Sequence, residues 1–182
     1  MAGTRERMVI STALLMRERG ARATSLDAVL EHSGAPRGSI YHHFPGGREQ
    51  LVREAVEYAG RYVERRLERG DPLAALDALF DEYCENLVAT DFRAGCPVVA
   101  VAVEAELRDA VKAAFERWRG ALARGFERGG IEAGRADELA LLTLASFEGA
   151  LILARAYRDL EPLELARLET RARVQAEVEA KR

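Results

Sequence analysis

The residues best suited to chemistry lie in one short stretch. Arg37, Ser39, Tyr41, His42 and His43 fall within seven positions, beside the small Gly38. On a short helix they present donors and acceptors of the kinds that match base-pair edges in the major groove of duplex DNA. Arg37 can fork onto guanine or grip a phosphate. Gly38 and Ser39 are small enough to allow a close approach. Tyr41 brings a ring for a thymine methyl and a hydroxyl, and His42 can reach a base edge or a phosphate. Plainer readings exist: Tyr41 as core packing, His42 and His43 as a structural or metal pair. Adjacent residues do not share a helix face, which argues against a two-histidine metal site.

The elements around this stretch position it. Thr24 or Ser25 can cap a helix whose first turn holds Asp27 and whose apolar face is Leu26, Val29 and Leu30. That helix stops near Ser33-Gly34, and Pro36 suits the first turn of the next, where its missing N–H costs nothing. A helix over 4–19 precedes the pair. Together they predict a three-helix head with a helix-turn-helix.

Downstream, every segment reads as helix and none as a convincing strand. Gly46-Gly47 leads into a long helix to about Arg69, uninterrupted by Gly or Pro until Gly60. Gly70-Asp71-Pro72 breaks the chain before a helix over 72–89. The run Val98–Val103 reads as a short helix, followed by helices over 107–128, 135–158 and 161–179. The expectation is an all-α protein of about nine helices, with a DNA-binding head at 1–46 and a helical body at 47–182.

The signature from Thr24 to Leu51, TSLDAVLEHSGAPRGSIYHHFPGGREQL, resembles that of TetR/AcrR-type transcriptional regulators. Thr24, Ser33-Gly34, Gly38-Ser39, Tyr41, His43-Phe44 and Arg48-Glu49-x-Leu51 carry the likeness. GAPRGSIYHHFPGG and GCPVVAVAVEAE resemble the LmrA/YxaF-like branch. Two departures stand out: Pro36 sits where a capping Ser or Thr is common, and Arg48 replaces the usual Lys. The resemblance implies that His43 and Arg48 grip phosphates, and that Thr24 does so from the start of the preceding helix. Arg48 also lies near a helix N-terminus, whose dipole favours an anion.

The resemblance further implies a pocket among the body helices for a small, largely apolar ligand, with Tyr58, Tyr62, Tyr83, Cys96 and Trp118 as candidates. It implies that the last two helices form a twofold dimer, with Phe147, Leu151 and Arg155 at the interface. Independently, the helix over 135–158 is apolar nearly all round and needs burial on both sides. The alternatives are an ordinary aromatic core and a helix buried within its own subunit.

Bulk properties agree with this division. The 182 residues suffice for one good core or two small ones. Net charge is -3, but residues 1–53 hold eight Arg against five acidic residues, while the remainder is acidic by -6. A modestly basic head on an acidic body fits a DNA reader. Cys84 and Cys96 make neither a disulfide framework nor a zinc site, and no metal or cofactor is expected. The most apolar run, 139–154, is shorter than the roughly 20 residues that span a bilayer, so a cytoplasmic protein without membrane contact is expected. No nucleophile–base pair or phosphate-cradling glycine loop points to an enzyme.

These features predict a ligand-responsive regulator, a homodimer that represses from a palindromic operator and is released by a small-molecule effector. The alternative is a helical adaptor without sequence-specific DNA binding.

Overall fold

The computed structural model describes residues 3–180. It holds eight α-helices: α1 Thr4–Arg19, α2 Leu26–Ser33, α3 Ile40–His43, α4 Gly47–Leu67, α5 Pro72–Ala89, α6 Arg108–Arg128, α7 Ala133–Tyr157 and α8 Glu161–Glu179. Three short 3-10 turns, Arg37–Ser39, Val99–Val101 and Ala105–Leu107, complete the regular structure, with no strand among the described residues. The Val98–Val103 run is thus a 3-10 turn and a loop, too short for an α-helix of its own.

Local sequence sets most boundaries. Ser25 caps α2 by accepting from the Ala28 N–H at 3.2 Å. Gly34 ends it with φ +64°, a left-handed conformation that glycine adopts without steric cost, and its N–H reaches the Glu31 and Leu30 carbonyls. Asp71 caps α5 with Pro72 in its first turn, and the Glu132 carboxylate caps α7 through the Arg135 N–H.

The chain divides into two compact units, Met1–Arg61 with Cys96–Ala114, and Tyr62–Gly95 with Phe115–Arg182. By packing, residues 47–61 and 96–114 thus group with the expected 1–46 head.

The first unit packs Met8, Val9, Leu15, Val29, Leu30, Ile40, Phe44 and Leu51 into one core. Arg5 lies over the Phe44 ring, 5.0 Å from its centre, and pairs with Glu54 at 2.6 Å. In the second unit α7 and α8 pack along each other, and α8 also meets α5. Phe147 of α7 sits edge-on to Phe80 and to Tyr83, at 5.0 and 4.9 Å between ring centres.

By length and composition alone α7 could cross a membrane, being longer than the apolar run within it. Of its most apolar window, 44% is buried inside the protein.

Candidate nucleic-acid interface and interior cavity

The second half of the helix-turn-helix starts without a side-chain cap. Pro36 is extended, and the chain enters α3 through the 3-10 turn Arg37–Ser39. The Ser39 hydroxyl donates back to the Pro36 carbonyl at 2.6 Å, tightening that turn. Ile40 and Phe44 anchor the element in the core. Arg37, Gly38, Tyr41 and His42 are exposed, with Tyr41 at 65%, so the core-packing reading of Tyr41 does not hold. Ser39 and His43 are half-buried. The His42 and His43 rings meet edge to face at 5.0 Å, and no group of three metal-capable side chains occurs among the described residues.

Two expected phosphate contacts turn inward. Thr24 is 2% exposed and its hydroxyl donates to the Gly20 carbonyl at 2.9 Å. Arg48 is half-buried, donating through Nε to the Thr24 carbonyl at 3.2 Å and through Nη2 to the Ala21 carbonyl. Ser25, not Thr24, is the helix cap.

The second unit encloses an apolar cavity lined by side chains that include Val63, Leu67, Tyr83, Trp118, Thr143 and Phe147. About 20 Å³ of it is open to the centre of a water molecule, room for about one water and far less than a drug-sized ligand needs. Tyr83 and Trp118 line this cavity, and Tyr58, Tyr62 and Cys96 are not among its lining side chains. Tyr58 packs on the core of the first unit, and Cys96 is buried in that unit. The Tyr62 hydroxyl donates to the Glu82 carboxylate at 2.9 Å. Sequence reading favoured aromatics and missed the aliphatic lining, whose one signal is the one-turn spacing of Val63 and Leu67 on α4.

The expected interface residues need correction. Phe147 and Leu151 are 6% and 1% exposed within their own chain, and a side chain already buried offers a partner no surface. Arg155 is exposed. On these two helices the apolar side chains open to solvent include Leu141, Leu142, Ile152 and Leu153 of α7 and Leu165 and Leu168 of α8. Periodicity could not separate the two faces, because α7 is apolar on both.

An exposed polar turn and helix on a packed three-helix head define a helix-turn-helix protein. Residues 11–55 match the family model of bacterial regulatory proteins of the tetR family, and residues 72–169 match the C-terminal domain of LmrA/YxaF-like transcriptional regulators. The chain belongs to the TetR family of transcriptional regulators, in its LmrA/YxaF-like branch. It is 50% identical to the uncharacterized HTH-type transcriptional regulator Rv0196 of Mycobacterium tuberculosis, over 98% of this chain and 97% of the relative. It is 31% identical to the uncharacterized regulator YxaF of Bacillus subtilis, over 89% and 90% of the two chains. Its fold is similar to that of a TetR transcriptional regulator from Legionella pneumophila, with a TM-score of 0.79, 21% identity and coverage of 94% and 97%. By family the protein is a DNA-binding transcriptional regulator and not an enzyme.

Proposed function

We propose that this regulator is a repressor that binds a palindromic operator as a homodimer and leaves it when a small, largely apolar ligand occupies the second unit. The observation that carries the DNA reading is the exposed set Arg37, Gly38, Tyr41 and His42, fixed by Ile40 and Phe44 beneath it. These residues are the proposed groove contacts, with Ser39 and His43 at their edge. One such element reads too few base pairs for useful specificity. A twofold pair places two of them about one DNA turn, roughly 34 Å, apart.

The open apolar side chains of α7 and α8 support the dimer, since burying several large apolar side chains against a second copy removes them from water. The Val63–Phe147 cavity supports an apolar ligand, and its small size means that binding must open it. Helix α4 carries Arg48 near one end and Val63 and Leu67 at the other, so one continuous helix runs from the reading head to the cavity lining and is the proposed route of coupling. A coupling of about 1–3 kcal/mol lowers operator affinity some 5- to 150-fold.

Binding-site selection with the purified protein tests the reading. A palindrome should emerge and bind with steep salt dependence. Recovery of no preferred sequence would instead support the adaptor. In parallel, Leu142→Arg should shift the protein from dimer to monomer in sedimentation with its helicity intact. A wild-type monomer would remove the twofold model.

A further inference from the structure

The position and bonding of Arg48 point beyond charge, and we infer that Arg48 is a positioning residue. It clamps the start of α4 to the turn between α1 and α2 and so sets the reading element on the head. The inference rests on the proposed DNA reading. The guanidinium is half-buried and bridges two main-chain carbonyls, Thr24 through Nε at 3.2 Å and Ala21 through Nη2. Both acceptors lie in the few residues before Leu26, where α2 begins. The turn is drawn in from its other side by the buried Thr24 hydroxyl on the Gly20 carbonyl and by the Thr24 N–H on the Ala21 carbonyl at 3.1 Å.

A planar fork with fixed N–H directions holds two carbonyls at a set angle, whereas a lysine ammonium on a flexible stem is a point charge. A phosphate contact needs the charge, and a clamp needs the fork. Any tilt of α4 at Arg48 is passed directly to the turn that leads into α2. Further along α4, the Arg53 Nη2 donates to the Glu106 carbonyl at 2.7 Å, so the same helix is also tied to the 96–114 segment of this unit.

Arg48→Lys and Arg48→Gln in the full-length protein separate the two roles. Affinity is measured on the operator selected by the wild type and on a scrambled duplex, across a salt series. As a clamp, Arg48→Lys loses at least about tenfold on the operator and stays within about twofold on the scrambled duplex, with an unchanged salt slope. The proposal is overturned if Arg48→Lys matches the wild type while Arg48→Gln weakens both duplexes and lowers the slope by about one. It is equally overturned if Arg48→Lys weakens both duplexes in proportion, which is simple loss of folded protein. A second measurement needs no DNA. Amide hydrogen exchange over residues 21–30 should speed up in Arg48→Lys while α5, α7 and α8 stay protected, and unchanged exchange there overturns the clamp. Should the wild type select no sequence, the DNA reading falls and hydrogen exchange alone decides the role of Arg48.

Discussion

Arg155 lies across Gly95. A β-carbon built on Gly95 would stand 2.8 Å from Nη1 of Arg155 and 3.2 Å from its Cδ and Cζ, closer than side chains tolerate. Beside this contact Arg158 pairs with the Asp91 carboxylate and lies over the Phe92 ring, 5.8 Å from its centre. Asp91, Phe92 and Arg158 all have φ between +53° and +57°, and they are the non-glycine residues in that region among those described. Two arginines at the end of α7 thus hold a strained loop after α5.

Gly95→Ala should lower unfolding stability by less than about 1 kcal/mol, because the exposed Arg155 side chain can swing away from the new methyl. In an Arg155→Ala background most of that cost should vanish. A double-mutant cycle in denaturant checks this, and additive costs would deny the contact.

Phe147 fills the space between Phe80 and Tyr83 and lines the cavity. Phe147→Ala should cost about 3–5 kcal/mol in chemical denaturation. The enlarged cavity should also take up small apolar molecules, seen as a rise in melting temperature when such a compound is added.

Two ion pairs join α5 to α8, and they should differ in weight. Arg171 pairs with Asp77, whose Oδ1 is buried without a hydrogen-bond partner, while Arg167 pairs with the more exposed Asp81 at 2.5 Å. Arg171→Ala leaves a largely buried carboxylate uncompensated and should cost about 1–2 kcal/mol. Arg167→Ala should cost below about 1 kcal/mol because solvent screens that pair. Equal losses would contradict the burial difference.

Burial pushes the Cys84 thiol up from its ordinary value, with Arg167 pulling it partly back. A raised value keeps the thiol protonated at neutral pH, and the thiolate is the nucleophile. Alkylation by iodoacetamide at pH 7 should therefore be slower than for a free cysteine and accelerate as pH rises past the ordinary thiol range. Cys84→Ser should remove this reaction, since Cys96 is buried. Rapid labelling at pH 7 would run against the shift.

Much of the architecture was legible from local chemistry. Gly20, Gly34 and Asp71-Pro72 carry their boundary signals in their own residue types, and the helices they bound begin and end where those signals fall. The family signature also sits in contiguous residues. Where side chains face otherwise than expected, one cause recurs: a residue type reports what a side chain can do, not which way it faces. Thr24 is polar and was expected at a phosphate, yet its hydroxyl is buried on Gly20. Phe147 and Leu151 lie on a helix apolar nearly all round, so their types do not tell the face toward a partner from the face toward the core.

The sequence by itself determined most of the helices, several of their end signals and the hydrogen-bonding row from Arg37 to His43, because each depends on neighbours within a few residues. Tertiary structure decided the rest. It assigned 96–114 to the first unit, put Arg48 on two carbonyls more than twenty residues earlier, and divided α7 into a buried face and an open one. Those outcomes are set by packing between distant segments, which local periodicity does not encode.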